Sequence, residues 1–289
     1  MLIPLLKLES NRVRRNYLGG KILDQLSGET NPSDGDRPED WIASTTIARN
    51  PGLPSLDNEG LSMVTLEGSS VSIRDLYHGN PVYYLGVKHV ATKGADPGFL
   101  MKLLDSSMRL HIQAHPTAEF AQTHLNSRYG KLETYLILDV REGCDGHLLL
   151  GFQRAPSPQE WFRIVTEQDM QAMHQCFDPV PVNPGEVWLV PGGMPHAIGE
   201  GVLVMEVMEP SDLVVRCEFE REGIVVPPDA RFMGCDPAFA LTIFDYTSRS
   251  VDMVHQQCQI APMVRSQGPG WQFENLITSA HTDCFTIDR

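Results

Sequence analysis

Three short segments carry side chains that could hold a cation or move a proton. In Leu110-His111-Ile112-Gln113-Ala114-His115-Pro116, strict alternation puts Leu110, Ile112 and Ala114 on one face of a strand and His111, Gln113 and His115 on the other. If that polar face looks into a barrel it needs partners, because buried polar groups are costly unless satisfied, and a metal ion is one such partner. If the face is solvated, the same pattern is an ordinary half-buried strand. Further on, Lys131-Leu132-Glu133-Thr134-Tyr135-Leu136 alternates again and places Lys131, Glu133 and Tyr135 together. Taken alone, that Lys-x-Glu reads equally well as a surface ion pair at a strand edge. The third segment runs from Val182 to Ile198. There a Pro-Gly turn starts a hydrophobic strand, and a Pro-Gly-Gly turn then delivers His196 into a second short run. A single histidine after such a turn is commonly structural, so His196 gains its weight from Gln113, His115 and Glu133.

Many short Val/Ile/Leu/Tyr-rich runs, punctuated by 24 glycines and 21 prolines, must position these groups, and they read as an all-β sandwich or barrel. Expected strands are Val82–Val87, Leu110–Ala114, Thr134–Leu138, Val187–Val190, Val202–Met208 and Leu213–Phe219. Val202, Val204 and Glu206 then share one face, as do Val214 and Arg216. Helices are expected at Phe99–Leu104, at Ala118–Asn126, and over Trp161–Cys176 behind the capping box Ser157-Pro158-Gln159-Glu160. The stretch from Ser27 to Asp40, nearly without apolar residues, reads as a surface loop. A turn-rich segment, Ser266–Gly270, precedes a final strand-like run from Cys284 to Arg289. No repeat of solenoid length is present.

Composition sets the outer bounds. The chain has 289 residues, 42% hydrophobic and 21% charged, which is enough to bury a globular core and excludes a fibrous or disordered chain. A net charge of −14 argues against a nucleic-acid partner, since neutralising phosphates over a broad face needs clustered cations. A small anion would need only a few. No window approaches the ~20 apolar residues of a membrane span, and residues 1–7 are too short and too quickly charged for a signal peptide, so a cytoplasmic protein is expected. The six cysteines form no CxxC pair, so any metal must be held by His, carboxylate or amide groups.

The order Gln113-x-His115, then Glu133, then Pro-Gly…Pro-Gly-Gly-x-x-His196 is the spacing of a cupin barrel, and it resembles the type I mannose-6-phosphate isomerases (phosphomannose isomerases). Tyr17-Leu18-Gly19-Gly20-Lys21 is similar to that family's Trp-Gly-Gly start, and Glu39-Asp40-Trp41-Ile42-Ala43-Ser44 to its Glu-x-Trp-x-x-Ser segment. Leu104-Asp105, Gly130-Lys131-Leu132-Glu133 and the run from Val204 to Arg216 also follow its wording. The resemblance covers Tyr17 to about Phe219. It implies a mainly β, jelly-roll cupin domain over 1–229 with a helical insertion at about 157–176. The remaining 230–289 would be a C-terminal β segment, part of a truncated or vestigial second barrel.

The resemblance further implies that Gln113, His115, Glu133 and His196 bind one divalent metal, usually zinc. Two imidazoles, one carboxylate and one amide oxygen leave Zn²⁺ with net positive charge and an open position, as in a catalytic site, although this ligand set also accepts other divalent ions. The family's essential arginine falls on Arg216, its active-site lysine on Lys131 and a glutamate near the substrate on Glu206. Lys131, His111 and Trp41 are expected at the substrate, a small sugar phosphate. Interconverting mannose 6-phosphate and fructose 6-phosphate through a cis-enediol needs a base on one face of the sugar and positive charge at O1 and O2. Arg216 and the metal would supply the charge, and Lys131 could hold the phosphate or relay a proton. Glu206, His111 and a water at the metal are all candidates for the base. His111 stands where the family usually has Ser, and Thr117 where it has Asp. A non-catalytic cupin that senses a sugar or sugar phosphate is the alternative. A cupin oxygenase would want a stronger iron set than one containing Gln113.

Overall fold

Apolar runs too short to make helices pair instead as two antiparallel sheets that share one core between their inner faces. The computed structural model describes residues 5–289, so the first four residues of the amino-terminal run 1–7 lie outside the described residues. One sheet has seven strands, in the spatial order Arg12–Val13, Glu39–Ile42, Leu100–Asp105, Val202–Met208, Glu133–Val140, Val187–Val190 and Gln259–Ile260. The facing sheet has five, in the order Val215–Arg216, Gln113–Ala114, His196–Ile198, His147–Leu150 and Val180–Pro181. Leu104, Ile137, Trp188 and Val204 of the first sheet meet Leu148, Leu150, Val180 and Ile198 of the second in the core. This is the double-sheet arrangement expected of a jelly roll.

Strand register sets the site. Across the seven-stranded sheet Glu206 stands opposite Lys102 on one side and Tyr135 on the other. Across the five-stranded sheet His196, Gln113 and Arg216 form one row of neighbours. The outer face of that second sheet is covered by helices: Ile112, Ala114 and Val215 pack against Trp161, Ile164, Val165 and Met173. The Ser157 capping box forms with Glu160 as expected. The expected single helix to Cys176 is instead two, Pro158–Glu167 and Met170–Gln175. Gln168 between them adopts φ 54°, and its side-chain amide donates to the Cys217 carbonyl at 2.8 Å and accepts from the Phe219 amide at 2.7 Å.

Other expectations are corrected. Phe99–Leu104, rich in helix formers, is the strand Leu100–Asp105, because it lies between two strands that each pair with it. Val82–Val87 is helical, in Pro81–Leu85 and Val87–Lys93, with Pro81 at the favourable first position. Regular pairing within Leu110–Ala114 and Leu213–Phe219 is confined to Gln113–Ala114 and Val215–Arg216, with single backbone bonds beyond it from Cys217 to Ile112 and from Leu110 to Ile198. The Ile112 amide donates to the Glu218 carboxylate at 2.7 Å instead of to a strand carbonyl, which interrupts both ladders. The end of the 27–40 loop is strand, from Glu39. Ala118–His124 is a helix capped by Thr117, whose hydroxyl accepts from the Phe120 amide, a role that aspartate also fills.

Within 230–289, the segment up to Cys258 contains the helices Pro237–Ala240 and Val251–Cys258, and Val254 and Cys258 enter the main core. Beyond it, Met263–Gly268, Trp271–Ile277 and Ile287–Asp288 form a three-stranded sheet. Its Ile277, with nearby Phe285, packs on Val207 at the outer face of the seven-stranded sheet. Among the described residues no helix is long and apolar enough to cross a membrane.

Glu218 clamps the two interrupted strands. Its carboxylate accepts from Arg109 at 2.6 and 2.8 Å and from the Ile112 amide. Burial alone would raise this carboxyl, but His174, Arg109 and the backbone donor together hold it well below the usual carboxylate range. Arg109→Ala strands a buried carboxylate and is expected to cost about 3–5 kcal/mol, read as a lowered melting temperature. Because the folded pKa is depressed, the stabilisation is complete above the unfolded value of about 4.3 and disappears as the pH falls below it. The variant should lack that part of the parent's acid limb.

Candidate metal centre and substrate cavity

Two histidine rings are fixed so that the same nitrogen of each is free for a ligand. His115 Nδ1 sits 2.7 Å from the Leu213 carbonyl, and His196 Nδ1 sits 2.9 Å from the Met194 carbonyl. Each Nδ1 must therefore carry the proton, leaving an Nε2 lone pair, the usual way a protein orients imidazole ligands. Both Nε2 atoms face Glu133, at 3.0 Å from Oε1 for His115 and 3.3 Å from Oε2 for His196. The ligand atoms of these three residues lie within 4.8 Å of one another, and all three residues are buried. The Gln113 amide stands 3.4 Å from His196 Nε2. Two neutral imidazoles, one carboxylate and one amide are a donor set suited to a divalent ion that keeps an open position.

Electrostatics fit the same reading. Burial, with the nearby Lys131 charge, lowers His115 to about 3, so it is neutral and able to bind at physiological pH. Burial alone would raise Glu133, but its close neighbours His115, Lys131 and His196 hold it well below the usual range. Tyr135 donates to Glu133 at 2.5 Å, and Lys131 Nζ is 3.2 Å from it.

A cavity opens from this cluster between the sheets, and its wall includes Lys131, Glu133, Gln113, His111, Glu206 and Arg216. Lys102 bridges two buried carboxylates there, Glu206 at 3.0 Å and Glu39 at 3.3 Å. Glu39 is also held by Arg15 at 2.9 Å, by Tyr17 and by Trp41. Burial and the negative Glu133 push Glu206 up, and Lys102 opposes them. The His111 Nε2 is buried without a hydrogen-bond partner among the described residues, and burial lowers this ring to about 4. Arg216 donates to the Ala230 carbonyl at 2.8 Å. Burial, opposed by Asp212 and reinforced by Arg15, lowers its guanidinium to about 10, so it stays charged near neutrality.

The structure therefore brings Gln113, His115, Glu133, His196, Lys131, His111, Glu206 and Arg216 to one place. Trp41 it does not. This residue is 1% exposed, packs with Val13, Leu100 and Met208, and serves the cavity indirectly, through its indole hydrogen bond to Glu39 and the Arg15 guanidinium lying 5.0 Å above its ring. Arg15, Glu39, Lys102 and Asp212 line the cavity without having been singled out as site residues. Glu39 and Asp212 lay inside recognised motifs, which was signal enough to find them. Lys102 was hidden by the helix reading, and nothing local marks Arg15.

No protein-family model matches the chain. It is 31% identical over 153 residues to the mannose-6-phosphate isomerase ManA of Bacillus subtilis (strain 168), a match covering 52% of this chain and 47% of the relative. The chain thus spans less than half the length of the curated relatives it matches. The crystal structure of the mannose 6-phosphate isomerase from Bacillus subtilis superposes with a TM-score of 0.69 at 20% identity, covering 98% of this chain and 78% of that one. A zinc-bound mannose 6-phosphate isomerase gives 0.67 at 18% identity, covering 98% and 82%. The chain has the fold of these isomerases.

Proposed function

We propose that the chain is a metal-dependent aldose–ketose isomerase that interconverts mannose 6-phosphate and fructose 6-phosphate. The observation that carries this reading is the convergence of two oriented imidazoles and Glu133 beside Lys131, Glu206 and Arg216 in one cavity. The similarity to mannose-6-phosphate isomerases supports it. Gln113, His115, Glu133 and His196 would hold the ion, with zinc favoured by the zinc-bound structure of like fold. When bound, it supplies Lewis-acid positive charge beside the sugar oxygens.

The chain's own groups do the rest. Arg216 stabilises negative charge developing on O1 and O2. Glu206 and His111 both face the cavity and can take the C2 proton and return it to C1. The unpartnered His111 Nε2 also accepts a sugar hydroxyl. Lys131, 3.2 Å from Glu133, belongs at the reacting end of the sugar and not at its phosphate. Lys131→Ala is accordingly expected to lower kcat more than it lowers metal content, and equal turnover in variant and parent rejects the role.

The deciding experiment is a coupled assay for fructose 6-phosphate formed from mannose 6-phosphate, with chelator and then with added zinc. Turnover lost to chelator and restored by zinc is the expected result. A zinc-loaded chain that binds the sugar phosphate without converting it is a sensor.

A further inference from the structure

The cations deep in the cavity already have partners. Arg15 is engaged by Glu39 and Asp212, Lys102 by Glu39 and Glu206, and Lys131 by Glu133. If carbons 1 and 2 of the sugar lie beside His115 and Glu133, a phosphate on carbon 6 lies at the opposite end of the carbon chain, outward of Arg216. Two further cavities open there. One shares Arg15, Asn16 and Arg216 with the inner cavity. The other shares Asp212, Val214 and Arg216 with it. Both outer cavities reach Arg49, which does not line the inner one.

Arg49 differs from the deeper cations. Its side chain is exposed and makes no ion pair or hydrogen bond among the described residues, so its guanidinium is available to a ligand. Its backbone, by contrast, is fixed. The Arg49 amide donates to Asp212 Oδ2 at 3.2 Å, the same carboxylate that Arg15 engages. On one side the Ala48 amide donates to the Glu59 carbonyl. On the other, Gly52 takes φ +86° and lies so close to Pro227 that a Cβ would approach its Cγ to 2.8 Å. The segment is thus anchored to the wall of the site while its charged end is free. In a chain of net charge −14, with Asp212 and Asp229 on the same outer wall, a dianion needs a local reversal of sign to settle there.

We infer that Arg49 holds the phosphate of the sugar phosphate and so selects phosphorylated over free sugars. The inference rests on the isomerase reading and adds a specificity-determining residue to it. A guanidinium suits the task, since its planar fork gives two parallel bonds to phosphate oxygens.

The test compares the metal-loaded parent with Arg49→Gln and Arg49→Lys. Calorimetric titration with fructose 6-phosphate and with inorganic phosphate is run beside steady-state kinetics on mannose 6-phosphate and metal analysis. Loss of one or two charge-assisted hydrogen bonds predicts about 10- to 100-fold weaker binding of both phosphate ligands by Arg49→Gln. KM should rise by a similar factor with a much smaller change in kcat, the metal content should stay unchanged, and Arg49→Lys should recover part of the loss. If the parent binds both ligands and Arg49→Gln binds them equally well, the assignment is overturned while the isomerase reading stands. If the parent binds neither, both fall together.

Discussion

Arg216→Ala is expected to lower kcat for mannose 6-phosphate by about 10²–10³ while leaving metal content and folding intact, the usual loss when one donor to a developing oxyanion is removed. Arg216 stands in the same cross-strand row as Gln113 and His196, and under the proposed reading that row brings its side chain to the reacting oxygens without making it a metal ligand. Its hydrogen bond to the protein is to the Ala230 carbonyl, and removing it strands no buried carboxylate: Asp212 keeps Arg15. Because it touches charge that exists mainly in the transition state, the loss should fall on kcat more than on KM. Arg216→Lys should recover little, since an ammonium cannot span two neighbouring oxygens. Parallel measurement of kcat, KM and bound metal decides the matter, and an Arg216→Ala enzyme with parental kcat removes the arginine from the chemistry.

Glu133→Gln should abolish metal retention and, with it, turnover. The carboxylate is the anionic member of the ligand set, and mutations of mere supporting residues around a metal already cost about 10- to 100-fold in affinity, so a larger loss is expected here. The substitution has a second consequence, visible without any metal. Lys131 is buried against Glu133, and neutralising that partner leaves an unmatched ammonium in the interior, worth about 3–5 kcal/mol. The metal-free variant should therefore melt below the metal-free parent. Metal analysis and a thermal melt, each after dialysis against chelator, read the two effects separately.

What the sequence disclosed and what it hid follow from the same physics. The polar faces of 111–115 and 131–135 were legible because each alternates cleanly with an apolar face, and such a strand has one orientation that buries its hydrophobic set. The strand Leu100–Asp105 was not legible. Apolar residues stand on both of its faces: Leu100 and Leu104 flank Lys102 on the inner one, while Met101 packs under the C-terminal sheet. With no alternation to read, the helix propensity of leucine, methionine and lysine decided the assignment, and tertiary pairing overrode it. That one error concealed Lys102, whose ammonium joins Glu39 to Glu206. Trp41 was placed at the substrate because its motif was recognised, yet only Glu39, two residues earlier, reaches the cavity wall. The break at Gln168 had one local signal, Asp169, whose carboxylate caps the second helix by accepting from the Ala172 amide at 3.1 Å, whereas the bonds that hold Gln168 itself run to the distant Cys217 and Phe219.

That glutamine has a further consequence. Val215–Arg216 is the outermost strand of its sheet, and an outermost strand offers a row of unpaired amides and carbonyls on which another chain could template itself. Here the row is filled from within. The Arg216 amide donates to the Arg231 carbonyl at 2.8 Å, and Val215 bridges Phe232. Just beyond, the Gln168 side chain supplies one donor and one acceptor to Cys217 and Phe219, standing in for a single residue of a neighbouring strand. The helical insertion therefore helps to close this strand edge as well as covering the core, and it does so beside the arginine on which catalysis would depend.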